Sequence, residues 1–110
     1  MLSIEDFIKL DIRVGTIIRA EPSLGSKKPA MKVWVNFGPD IGEKKSSAQI
    51  TGHYSEKDLI GLQVAAVINL RPRQIGKFMS EILILGFPDG DGEVVLIHPG
   101  KKIPNGGKLY

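Results

Sequence analysis

Ala30-Met31-Lys32-Val33-Trp34-Val35-Asn36-Phe37 decides the fold. Met31, Val33, Val35 and Phe37 recur at every second position with Lys32, Trp34 and Asn36 between them, which is the period of a half-buried strand and not of a helix. Trp34 therefore faces outward, beside a cation and an amide. On the N-terminal side the same alternation puts Ile12, Val14, Thr16 and Ile18 on one face and Arg13, Gly15, Ile17 and Arg19 on the other, until Pro22 to Pro29 interrupts it. On the C-terminal side, Gly38-Pro39 and Ile41-Gly42 mark a turn. Lys44 to Thr51 then reads as a polar strand, with Ser46, Ala48 and Ile50 opposite Lys45, Ser47, Gln49 and Thr51. Leu62 to Leu70 and Glu81 to Phe87 read as further strands. Val94 to Ile97 follows as another after the Asp89-Gly90-Asp91-Gly92 turn.

Helical signals are brief. Ser3 precedes Asp6 by three residues as an N-cap with an acid in the first turn, and Ile4, Phe7 and Ile8 share a helical face. Tyr54 to Ile60 carries Ser55, Glu56 and Asp58 early and Gly61 where a C-cap falls. Several short strands with one helix in their midst suit a small all-β barrel of the OB type.

At 110 residues and 42% hydrophobic composition, the sequence supports one domain, 1–110, whose small core would gain from association. The apolar tail residues Ile103, Leu109 and Tyr110 point the same way, to a homodimer. The absence of Cys excludes disulfides, thiolate metal sites and thiol nucleophiles, and fits a reducing compartment. The start of the sequence lacks the pattern of a signal peptide, and no apolar run approaches the roughly 20 residues of a membrane span. These features predict a cytoplasmic protein with no membrane insertion.

Enzymatic patterns are lacking. His53 and His98 are the only histidines, and neither stands in a spacing that recruits a second metal ligand or a nucleophile, base and orienter set. No catalytic residue, metal or cofactor is expected. The net charge is only +3, yet the cations are uneven: Leu59 to Ser80 holds no acid, while Asp89, Asp91 and Glu93 cluster. Uneven charge of this kind raises a local positive field on a nearly neutral protein.

The richest stretch for function is Asn69-Leu70-Arg71-Pro72-Arg73-Gln74-Ile75-Gly76-Lys77-Phe78-Met79-Ser80-Glu81. Its Pro72 and Gly76 and its strand flanks predict a surface loop that presents Arg71, Arg73 and Lys77 to phosphates, with Asn69, Met79 and Ser80 at the strand ends for an unpaired base. Glu81 would repel phosphate and instead suits holding the loop through hydrogen bonds, or accepting from a base amino group. Lys32, outward Trp34 and Asn36 supply a cation, an aromatic plane and an amide on one strand face. Cover by the N-terminal helix or by a partner subunit is the competing expectation for Trp34.

Asp11-Ile12-Arg13-Val14-Gly15, Lys32, Ser46-Ser47-Ala48-Gln49-Ile50-Thr51, Tyr54, Leu59-Ile60-Gly61, Asn69, Pro72 and Met79-Ser80-Glu81 together resemble the tRNA-binding OB-fold domain found free-standing and appended to aminoacyl-tRNA synthetases. Lys44-Lys45-Ser46-Ser47-Ala48-Gln49-Ile50-Thr51, Arg73-Gln74-Ile75-Gly76 and Pro104-Asn105-Gly106-Gly107-Lys108-Leu109-Tyr110 resemble its CsaA subgroup of export-related chaperones. The resemblance implies a five-stranded Greek-key OB barrel, a homodimer built from the N- and C-terminal segments, and no catalysis. It also implies two ligands, tRNA and unfolded or presecretory polypeptide. Carried onto this sequence, the tRNA site comprises Lys32, Asn69, Arg71, Arg73, Lys77, Met79 and Ser80, and the peptide is expected at an apolar groove near Trp34, Phe78 and Met79. Many members have Lys-Met-Arg-Gly where this chain has Arg73-Gln74-Ile75-Gly76, which points to a weaker electrostatic hold on tRNA. The alternative reading is a free-standing tRNA-binding factor acting in trans with an aminoacyl-tRNA synthetase.

Overall fold

The computed structural model describes residues 1–23 and 28–110. In it the strands β1 (Ile12–Pro22), β2 (Met31–Asn36) and β3 (Glu43–Ala48) form an antiparallel meander. The short helix α2 (Glu56–Leu59) follows, and β4 (Gln63–Val67) returns to lie beside β1. The sheet order is β3-β2-β1-β4-β7, with β7 (Leu83–Ile84) at the far edge. Three consecutive strands with a fourth returning beside the first make a Greek key. The sheet curls until its edges nearly meet: Glu81 N–H donates to Lys45 C=O at 2.9 Å, and Ser46 Oγ donates to Ile82 C=O at 3.1 Å. A nearly closed five-stranded antiparallel barrel with a helix before its fourth strand is an OB fold, as expected. The ribbon of β8 (Gly86–Pro88) and β9 (Val94–Leu96) is tied on through Leu85, which donates to Ala65 C=O and accepts from Ile97 N–H.

The β2 alternation holds at every position: Met31, Val33, Val35 and Phe37 are buried, and Lys32, Trp34 and Asn36 are half-buried on the other face. In β1 it does not hold. A bulge between Ile17 and Arg19 leaves Ile18 without a cross-strand partner and exposed, while Ile17 and Ala20 both enter the core. One extra residue reverses the facing of everything beyond it. Gly15 shares the core face, where a Cβ would lie 2.6 Å from Val35 Cγ1 and 2.7 Å from Phe37 Cδ1, so glycine there permits close packing under β2.

Both helices begin as their sequences predict. In α1 (Ile4–Ile8) Ser3 Oγ accepts from Asp6 N–H and the Asp6 carboxylate accepts from Ser3 N–H. Ser55 and Asp58 repeat this reciprocal pair at α2, whose Leu59 plugs the barrel, and Gly61 follows at φ +92°. The C-terminal segment docks along the start of β1: Gly106 N–H donates to Val14 C=O and Leu109 N–H to Ile12 C=O. Asn105 anchors it by accepting from Thr16 Oγ1 at 2.8 Å and from Gln63 Nε2 at 3.0 Å.

Several boundaries differ from the sequence reading, among them the end of the polar strand, which stops at Ala48 and not Thr51. The strand expected over Leu62 to Leu70 is the shorter β4, Gln63–Val67, and Ile68 N–H still donates to Asp11 C=O, the next position along the β1 ladder. Glu81 to Phe87 divides into β7 and β8 at the Leu85 junction. The basic stretch is no plain loop but a hairpin, β5 (Arg73–Ile75) against β6 (Phe78–Ser80), turning at Gly76 with φ +61°. The break expected from Pro22 to Pro29 falls partly outside the described residues.

Candidate nucleic-acid interface

The face of an OB barrel formed by its second and third strands, with the loop before the last strand, is the usual seat of oligonucleotides. Here that loop is the β5–β6 hairpin, and it is fixed over β3. Lys45 N–H donates to Glu81 Oε1 at 3.1 Å, and Ser47 N–H donates to Ser80 Oγ at 3.1 Å. Ser80 is buried and reaches Ser46 Oγ at 3.4 Å, so its hydroxyl is spent inside the protein. Glu81 takes the loop-holding role expected of it.

Register then builds the exposed surface. Arg19, Trp34 and Lys45 align across β1, β2 and β3, as do Glu21, Lys32 and Ser47 in the next outward row. Phe78 descends from the hairpin onto Trp34 with ring centroids 6.0 Å apart and planes at 84°, an edge-to-face pair. The Arg19 guanidinium lies 4.3 Å from the Trp34 ring centroid, steadied by Glu21 at 3.0 Å. Lys32 Nζ and Lys45 Nζ each lie 5.2 Å from the Phe78 centroid. Cations at this distance are attracted to the ring face. The result is an aromatic pair ringed by three cations.

Several expected site residues meet here and others do not. Lys32, Trp34 and Phe78 come together. Met79 pairs with Gln74 on the opposite side of the hairpin, since side chains alternate along β6, and so does not share a surface with Phe78. Lys77 is exposed at the hairpin turn. Arg71 and Arg73 border a small cleft of about 150 Å³ with Glu81, and among the described residues neither arginine is in an ion pair. Asn69 is exposed, yet its amide is engaged within the chain: its Oδ1 accepts from Asp11 N–H at 2.9 Å and its Nδ2 donates to Lys9 C=O at 2.7 Å. Trp34 is packed against Arg19 and Phe78, a setting that neither sequence expectation described.

Sequence reasoning missed Arg19 and Lys45. Strict alternation in β1 separated Arg19 from any site, and only the bulge carries it beside Trp34. Lys45 stood on the polar face of its strand, so the signal was present, but its pairing with Trp34 depends on register. The acidic cluster of the sequence lies elsewhere: Asp89 at the β8–β9 turn contacts His53 Nε2 at 2.5 Å, and this bond, with the N–H groups of Asp91 and Glu93, holds its carboxyl below the usual range. Among the described residues no three of His, Asp and Glu gather as metal ligands, and no helix is long and apolar enough to cross a membrane.

Residues 12–108 match the model of a putative tRNA-binding domain. The chain belongs to that family. Within it the likeness is to the CsaA type: the chaperone CsaA from Bacillus anthracis str. Ames is 44% identical, over 100% of this chain and 99% of that one, with a TM-score of 0.93. The CsaA chaperone protein from Picrophilus torridus gives 44% identity, full coverage of both chains and a TM-score of 0.93. Among curated sequences, the methionine–tRNA ligase of Porphyromonas gingivalis is 34% identical over 110 residues. That alignment takes in 98% of this chain but only 15% of the ligase.

Proposed function

We propose that this chain is a non-enzymatic, homodimeric binding protein of the CsaA type that acts in the cytoplasm, binding tRNA and holding unfolded or presecretory polypeptides. The observation that carries the RNA half is the Trp34–Phe78 pair ringed by Arg19, Lys32 and Lys45 beside a hairpin bearing Arg73 and Lys77. Cations that track a backbone around an aromatic platform are what single-stranded or looped RNA requires. Arg19, Lys32, Lys45 and Lys77 take phosphates, Arg71 and Arg73 divide the five N–H donors of each guanidinium between phosphate and base edge, Phe78 takes a base on the platform, and Met79 takes one on the other side of the hairpin. Asn69 and Ser80 position the hairpin from below. The likeness to two CsaA chaperones supports the polypeptide half, for which Trp34 and Phe78 offer flat apolar surface.

One titration series tests both halves. Replacing Arg73 and Lys77 by Gln should weaken tRNA binding and reduce the slope of log K against log salt by about 0.7–0.9 per lost phosphate contact. Unchanged affinity and slope would remove the hairpin from the site. A labelled apolar peptide should bind wild type better than a Trp34→Ala, Phe78→Ala variant, and saturating tRNA should displace it. Equal peptide affinity for both proteins would exclude this surface.

The similarity to a segment of a methionine–tRNA ligase favours a second reading, a free-standing factor that delivers tRNA to a synthetase in trans. Co-purification of a synthetase with the chain, and tRNA binding indifferent to peptide, would select it.

A further inference from the structure

The small cleft beneath the hairpin has a chemistry that phosphate binding does not explain. Leu70, Ile75 and Leu83 form apolar sides, and Arg71, Arg73 and Glu81 supply two guanidinium groups and a carboxylate. Opposite charges in one cleft would ordinarily pair. Yet among the described residues neither arginine nor Glu81 enters an ion pair, and the one bond to the carboxylate comes from Lys45 N–H at Oε1. A carboxylate accepts at about four lone-pair positions, so most of its capacity is left for something else.

That something is a hydrogen-bond donor, because a phosphodiester would be repelled by Glu81. The volume, about 150 Å³, is near five times the ~30 Å³ share of a liquid water, room for one planar heterocycle between apolar walls. RNA recognition with sequence preference depends on such a base splayed out of its stack. Of the four bases, only guanine sets two adjacent donors, N1–H and N2–H, against a carboxylate while offering O6 and N7 to arginine. Adenine and cytosine place an acceptor nitrogen beside their amino group, and uracil flanks its single N–H with carbonyl oxygens.

We propose that the cleft takes the base of one unpaired guanosine of a bound RNA, with Glu81 accepting from N1–H and N2–H and Arg71 and Arg73 donating to O6 and N7. The assignment rests on the RNA-binding reading above and adds a base preference to it. Arg73 belongs both to this cleft and to the hairpin, so the phosphates flanking the base reach the basic surface directly.

The test uses oligouridylates of about twelve nucleotides, within the ~4–16 nucleotides that an OB fold covers. Binding of the all-uridine strand and of strands with one central guanosine, adenosine or cytidine is compared by fluorescence anisotropy in about 0.05 M salt, where phosphate contacts are strong. Wild type should prefer the guanosine strand by about fivefold or more, the lower end for one bidentate base contact. Glu81→Gln keeps an oxygen for Lys45 N–H but turns an NH2 toward the base. It should abolish the preference while leaving the all-uridine affinity within about twofold and the salt slope unchanged. RNA binding without base preference in wild type, a preference for cytidine or adenosine, or a guanosine preference surviving in Glu81→Gln would each overturn the guanine cleft and leave RNA binding standing. Failure of every strand and of tRNA to bind would instead overturn the RNA reading and this inference with it.

Discussion

At the scale of single residues, the site separates side chains that face a ligand from side chains that hold those facing it. Asn69 belongs to the second group. Both ends of its amide are engaged, one by Asp11 N–H and the other by Lys9 C=O, so it ties the segment after α1 to the root of the hairpin. Truncation to Ala removes two hydrogen bonds of about 1 kcal/mol each. We expect Asn69→Ala to lower unfolding stability by about 1–2 kcal/mol in urea titrations and to weaken tRNA binding modestly. A positioning residue leaves the number of phosphate contacts intact, so the salt slope should not change. A slope reduced by about one contact would instead make Asn69 a ligand residue. Nothing in the sequence distinguishes the two roles: an Asn at a strand end reads the same whether its amide points to RNA or to Lys9, and only the return of the chain across sixty residues of sequence decides.

At the scale of elements, legibility tracks how local the determining interaction is. The β2 facing and both capping boxes were readable because a strand's alternation and a Ser-x-x-Asp pair are complete within a few residues. The β1 bulge was not, since it is defined by which residue of β2 stands opposite, and its effect was to hide Arg19. The hairpin was half legible: its cations and Gly76 were visible, while its anchoring through Ser80 and Glu81 to β3 spans more than thirty residues. The local case gives a sharp test at α2. Bonds from the backbone N–H and then the hydroxyl of Ser55 hold the Asp58 carboxyl below its ordinary value of 3.8. A depressed folded value means the cap's stabilisation is present above that ordinary value and is lost as pH falls through the lower folded one. Asp58→Asn should therefore lower the urea midpoint at pH ~7 and differ less from wild type at an acid pH low enough to protonate the wild-type carboxyl. A difference of the same size at both pH values would mean that the charge contributes nothing to the cap.

At the scale of the whole molecule, the basic face occupies one side of the barrel and the apolar surface another. Two open grooves lie away from the basic face and flank the C-terminal segment: one of about 510 Å³ includes Ile12, Val14, Ile97 and Ile103, and one of about 500 Å³ includes Ile4, Phe7, Ile8 and Leu10. Leu109 and Tyr110 border both. Ile4 is 66% exposed and Ile8 57%, although the α1 sequence places them on one face and the helix buries none of its residues within this chain. An amphipathic helix with an open apolar face, next to a strand-paired tail with two more apolar side chains, is a surface awaiting a partner. The homodimer proposed above would cover it by a two-fold contact, in which the same patch serves both subunits. Light scattering of this chain at micromolar concentration should give twice the monomer mass. Ile8→Asp with Leu109→Asp should give the monomer mass while leaving the far-side barrel core, and hence the circular dichroism spectrum, intact. A monomeric wild type, or a double variant that stays dimeric, would place the subunit contact elsewhere or nowhere. Because neither substitution touches Arg73, Lys77 or Phe78, the monomeric variant also separates the contribution of one basic face from that of two: a tRNA spanning both should lose salt slope on dissociation, whereas a tRNA held by one face should keep it.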